Sequence, residues 1–272
     1  MTALTKSDLL AKFSSGASLT GIDLTKSDLY AIALPGADLS NSNLTSVTLT
    51  NADLSEAKLT GANLTNADLR GVNLENADLS GANLTGAYLT RANIKGTNFS
   101  DANLTDLKIQ LTVYSKTTQF PTDFRHRSSG AVGPGAVLNG AYLNTANLRG
   151  LDLSGAKFMG AYLSGADLTG ANLEDVSFSG ANLQRAFLTG AFLHKARFSG
   201  AELKGVDFRA ADLTDADFSN LTNLAGADFS MVTGLSQENR ARLLSGFPET
   251  DLTTWNDYTR CNTKDSLTRI DA

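Results

Sequence analysis

Residues 62–74 read Ala62-Asn63-Leu64-Thr65-Asn66-Ala67-Asp68-Leu69-Arg70-Gly71-Val72-Asn73-Leu74. A central leucine recurs at every fifth position, and a small apolar residue stands two places before it. Followed outward, the pattern runs from Leu19 to Leu104 through eighteen consecutive repeats, with Ile94 and Phe99 the only substitutes for leucine. It resumes at Leu138 and holds for seventeen repeats to Phe218, now with phenylalanine at several central positions. A period of five suits neither an amphipathic helix nor a strand, so the repeat is an architecture in its own right. Units of this kind stack neighbour on neighbour.

The unit Ala-(Asp/Asn)-Leu-x-x, as in Ala62-Asn63-Leu64-Thr65-Asn66, resembles the pentapeptide repeat family, over about 185 of the 272 residues. The resemblance implies a right-handed quadrilateral β-helix, an all-β solenoid in which each repeat is one side of a square and four make a coil. It implies an interaction module, and one branch of the family resembles duplex DNA and inhibits type II topoisomerases. The family is abundant in cyanobacteria, and Thr118-Gln119-Phe120-Pro121-Thr122-Asp123-Phe124 looks like a loop of its cyanobacterial members. Here Arg125-His126-Arg127 follows, where an Asp-Pro pair is common in that loop.

On that fold, positions twenty apart lie one above another. Thr25, Thr45, Thr65, Thr85 and Thr105 form one ladder, Asn43, Asn63, Asn83 and Asn103 a second, and Gly140, Gly160, Gly180 and Gly200 a third. Phe158, Phe178, Phe198 and Phe218 fall in a single column and predict a stack of phenyl rings in the core. Stacked like side chains support one another.

Five segments are expected. Residues 1–15 form a helical N-terminal cap, with Thr5 as N-cap, Leu9, Leu10 and Phe13 as its apolar face and Gly16 as its stop. Residues 16–105 are the first repeat block, 106–135 a non-repeat insert looping off one corner, and 136–230 the second block. The phase slips by one after Phe218 and resumes at Leu224 and Phe229. Residues 231–272 are a C-terminal helix and tail, with Ser236 capping a helix over 237–245. Caps are needed because an open coil end exposes strand-edge groups and core leucines.

The bulk numbers narrow the function. Net charge is −5 with a sequence pI near 5.1, a mild acidity that suits solubility. Met1-Thr2-Ala3-Leu4-Thr5-Lys6 carries no apolar leader, no stretch approaches eighteen apolar residues, and Cys261 is single, so a cytoplasmic protein without a membrane span is expected. No catalytic residue, cofactor or metal site is expected. His126 and His194 lack a second His or Cys at ligand spacing. Asp alternates with Asn before the central leucine, as at Asp68, Asn73 and Asp78, which marks a polar repeat position rather than an acid or base.

The expected partner is an unidentified protein. The first block carries five bases against nine acids and the second seven against ten, far short of duplex DNA at one charge per roughly 1.7 Å. The acidic body also argues against direct nucleic-acid binding. More suggestive are aromatics in the outward slot before the central residue: Tyr142, Tyr162, Phe187 and Phe192, with Tyr88 in the first block. Together with Phe120 and Phe124 of the insert, they are the candidate partner-binding residues of a scaffold or regulatory binding module. Covering of these aromatics by the insert or tail is the equal alternative, and the C-terminal cap serves equally as a surface for homo-oligomers.

Overall fold

The corner of each repeat lies two residues after its central leucine, where the backbone enters the left-handed region. Asn66 has φ 57° and Gly71 φ 67° at successive corners. That conformation favours glycine and asparagine, which accounts for both residue types at this slot. The repeat 63–67 shows where all its backbone N–H groups go. Asn63 N–H donates back to Ser42 O at 2.9 Å, while Leu64 and Asn66 donate forward to Asn83 O and Thr85 O at 2.7 and 2.9 Å. Ala67 N–H closes the corner onto Leu64 O at 3.0 Å. The remaining donor, Thr65 N–H, is met by Asn63 Oδ1 at 3.2 Å. The slot before the leucine therefore needs a short side-chain acceptor, and Asp serves as well as Asn.

A computed structural model of the chain describes residues 5–269. The first four residues of the expected N-terminal segment and the last three of the tail lie outside the described residues. The chain forms two compact units, Met1–Val132 and Gly133–Ala272.

In the first unit, α1 spans Lys6–Ser14 and opens with a reciprocal box between Thr5 and Asp8. Its Leu9 is fully buried. Parallel bridges then link residues twenty apart in four columns per turn: Asp23 to Asn43, Asp28 to Thr48, Ala33 to Asp53, Asp38 to Lys58. This is a four-sided β-helix. Each central leucine, and from Ala37 onward the alanine two before it, points inward and is almost completely buried. Where Ser42, Thr97 or Thr112 replaces that alanine, its hydroxyl donates to the carbonyl of Leu19, Leu74 or Leu89, so the buried polar atom is satisfied.

The expected insert over 106–135 is corrected here. Lys108 bridges Tyr88, Val113 bridges Asn93, and Ile109 and Tyr114 are buried in the core. The coil continues because Leu107-Lys108-Ile109 and Thr112-Val113-Tyr114 still place an inward pair at the right spacing. Gln119 bridges Asn98 one residue out of phase, and Val132 bridges Val113. Only residues between Gln119 and Ala131 leave the ladder, and they hold a short 3-10 turn at His126–Ser128.

The second unit carries the same four columns from Val137 onward, and their spacing changes from twenty to twenty-one at Glu202–Asn223. The phenyl column is present: Phe158–Phe178, Phe178–Phe198 and Phe198–Phe218 stack at centroid distances of 5.3, 5.4 and 5.0 Å. α2 spans Gln237–Ser245 and begins at the Ser236 side chain. The rest of the tail is more ordered than its polar composition predicts. It comprises α3 (Glu249–Leu252), an antiparallel pair β1 (Trp255–Asn256) and β2 (Cys261–Asn262), and α4 (Thr263–Thr268). α4 lies on the last coil, where Ser266 Oγ accepts from Phe229 N–H and Thr263 Oγ1 donates to Leu224 O, both at 3.0 Å.

Candidate interaction surface

Four outward slots of the second unit hold an aromatic where the coil needs an acceptor. Neither tyrosine nor phenylalanine can receive the N–H two residues on; after Tyr162 that donor, Ser164 N–H, is met instead by Asn144 Oδ1 of the preceding coil at 3.0 Å. The slots fall on three of the four sides. Tyr142 and Tyr162 share one column, Phe187 belongs to the next, and Phe192 to the one after, opposite the tyrosines. Tyr142 and Tyr162 are 79% and 43% exposed, and their rings stack at 4.8 Å with planes 3° apart. Met159, also exposed, stands before the Gly160 corner that leads into this side. The sequence signal for Met159 is available, since its column otherwise holds Asn139, Ser179, Ser199 and Ser219. Phe192 is 57% exposed.

The other three candidates are engaged within the protein. Phe187 is half-buried with its ring 5.0 Å from Tyr258 of the tail in an edge-on contact. Phe120 stacks on Phe99 at 5.7 Å and on His126 at 4.5 Å, and Phe124 packs on Phe120 at 5.6 Å. Tyr114 meets both Phe120 and His126 edge-on. The insert thus folds its aromatics onto the core column instead of presenting them. Burial in this cluster, with lesser opposition from a Phe124 backbone hydrogen bond, pushes the His126 imidazole below its usual value.

Charge is unevenly spread over the second unit. The side that carries Phe192 holds Asp152, Glu174, Asp175, Asp212 and Asp215 against Lys195 alone. Several acids are tied to the coil: the Thr214 hydroxyl first, and its backbone N–H as well, hold Asp212 below the ordinary carboxylate value. On the Phe187 side, buried Asp207 takes a two-pronged bond from Arg209, at 2.9 and 2.7 Å. That guanidinium is held more firmly protonated by the bonds to Asp207. Among the described residues no group of three His, Cys, Asp or Glu is placed to hold a metal ion, and no helix is long and apolar enough to cross a membrane.

Pentapeptide repeats match the chain in eight copies, which together cover residues 15–106 and 135–232. The chain belongs to the pentapeptide repeat family. Among solved structures, this pentapeptide repeat protein is similar to HetL, a member involved in heterocyst differentiation regulation from the cyanobacterium Nostoc sp. strain PCC 7120. The identity is 28%, over 84% of this chain and 96% of HetL, with a TM-score of 0.37. It is similar to alr5209, a pentapeptide repeat protein of Nostoc PCC 7120, at 31% identity over 48% of this chain and 98% of that one, with a TM-score of 0.36. Full-length QnrB1, a plasmid-mediated fluoroquinolone resistance protein, matches at 16% identity over 84% and 90%, with a TM-score of 0.28. No curated protein matches the sequence.

Proposed function

We propose that this chain is a non-enzymatic protein-binding module, a scaffold or regulatory subunit that recognises a protein partner through the second repeat unit. The observation that carries this is the exposed Tyr142–Tyr162 stack in a column otherwise filled by Asn182, Glu202 and Asn223. The coil gives up the local side-chain acceptor at these slots and gains no core burial in return. Paired, rigid tyrosines are a frequent anchor of protein interfaces. Phe192 is a second contact on the opposite side. Phe187, Phe120 and Phe124 act indirectly, by holding the tail and insert in place. α1 and α4 serve as end caps, covering core residues and strand-edge groups. A cytoplasmic location accords with the single free Cys261.

The expected result is that Tyr142→Ala with Tyr162→Ala leaves the unfolding transition intact but abolishes capture of a discrete partner from the native lysate. Equal recovery by wild type and variant removes these residues from the site.

A second reading, DNA mimicry directed at a type II topoisomerase, is favoured by the acidic side around Phe192. Its net charge of −4 lies along four coils, roughly 15 Å from first to last at the strand spacing. The same length of duplex carries on the order of nine charges, so the likeness is partial. Inhibition of gyrase supercoiling that is lost in Asp212→Lys with Asp215→Lys supports this reading. Undiminished supercoiling at large molar excess of the protein eliminates it.

A further inference from the structure

The tail leaves a cleft of about 410 Å³ against one corner of the second unit. Its floor is the corner column at Gly205 and Gly226, where the absence of a Cβ lets other groups lie close. Arg185 Cγ would stand 3.4 Å from a Cβ at Gly205, and Thr254 O 3.6 Å from one at Gly226. Phe187, Trp255 and Tyr258 line the walls, and Trp255 and Tyr258 remain 55% and 67% exposed. The opening is fixed by a buried asparagine. Asn256 Nδ2 donates to Gly226 O at 2.8 Å and to Gly205 O at 3.4 Å, while its Oδ1 accepts from the N–H groups of Tyr258 and Thr259. The walls are therefore pinned to the coil rather than collapsed into it.

Charge in the cleft is not balanced internally. Arg185 and Lys204 both line it, and neither has an ion-pair partner among the described residues. The buried carboxylate at hand, Asp207, is already committed to Arg209. Asp257, at the exposed rim, is the only other acid lining the space. Tyr258 is engaged by Phe187 edge-on and by the Arg209 guanidinium over its ring, which leaves two uncommitted cations beside the Trp255 and Phe187 rings, a match for a planar apolar body that carries an anionic group. The volume falls in the range of small-molecule pockets. We propose that this cleft binds a small aromatic anion, with Arg185 and Lys204 holding its carboxylate, sulfonate or phosphate and Trp255 and Phe187 flanking its ring.

The chain has a single tryptophan, so Trp255 reports on its own cleft. Titration of the full chain with 8-anilinonaphthalene-1-sulfonate should give saturable quenching of Trp255, one probe per chain by calorimetry. Arg185→Gln and Lys204→Gln, both exposed positions, should each weaken binding roughly tenfold, the size of one charge-assisted hydrogen bond. The uncharged relative N-phenyl-1-naphthylamine should bind more weakly than the sulfonate and be indifferent to both substitutions. Absence of saturable quenching overturns the proposal. So does sulfonate binding that both variants leave unchanged, or equal affinity for the uncharged compound, since each reduces the cleft to a nonspecific apolar surface. Thermal unfolding that matches wild type assigns any loss of binding to the cleft rather than to folding.

Discussion

Phe198→Ala is expected to destabilise the second unit by about 3–5 kcal/mol, the range for a fully buried phenylalanine truncated to alanine. Phe198 is completely buried and meets three other rings. It stacks on Phe178 at 5.4 Å and on Phe218 at 5.0 Å, and Phe208 meets it edge-on at 5.6 Å. Every coil contributes one layer of side chains, so no neighbouring layer can move in to fill the cavity without breaking its own ladder. Phe198→Leu restores the residue that most repeats carry at this slot, and a cost under about 1.5 kcal/mol is expected for such a swap. Urea unfolding of the full chain, followed through Trp255 in the tail of the same unit, measures both. A loss below about 1 kcal/mol for Phe198→Ala contradicts a close-packed column.

The same period of five makes the repeats legible in the sequence, because an inward leucine has one role at every position and leaves a mark at each. The acceptor slot was legible only in outline. Its alternation of Asp and Asn shows a polar residue, but its task, receiving the Thr65-type N–H, depends on which backbone donors the ladder leaves over. The end of the first block was misplaced because Ile109 and Tyr114 keep the phase while Leu107 and Thr112 replace alanine, which hides the pattern from a reading based on leucine and alanine. The candidate aromatics were identified by the slot they occupy. Which of them stay exposed was not legible, since Phe187 is covered by Tyr258, a residue more than seventy positions away in a tail with no periodicity. The cleft was hidden for the same reason: Arg185, Lys204 and Trp255 meet only through the docking of β1 by Asn256.

Gly234→Ala is expected to be among the most damaging glycine substitutions in the chain, although many corner glycines share its left-handed backbone. The comparison is Gly81→Ala. Gly81 has φ 63° with nothing within 4 Å of an added Cβ, so alanine there meets only the intrinsic penalty of about 1–2 kcal/mol. Ala31 and Ala210 already occupy such corners at φ 51° and 57°, which shows that the coil accommodates alanine where space is open. At Gly234, φ is 70° and a Cβ would come within 2.6 Å of Thr214 N and 2.7 Å of Thr214 Cα. Those are backbone atoms of the preceding coil. Thr214 cannot yield, because its N–H and hydroxyl are both bound to Asp212 Oδ1 and its carbonyl accepts from Lys195 N–H. The corner at 234 must open instead, and it leads directly into Leu235 and the Ser236 cap of α2. A cost of about 3 kcal/mol or more is expected, the upper end for overpacking, with the strain falling on the tail. Urea unfolding should separate Gly234→Ala from Gly81→Ala by at least about 1 kcal/mol. Limited proteolysis should cut the Gly234→Ala chain first between residues 236 and 269. Equal stability of the two variants would mean that the last coil is not closed tightly enough to position α2, and the docked tail would lose its structural basis.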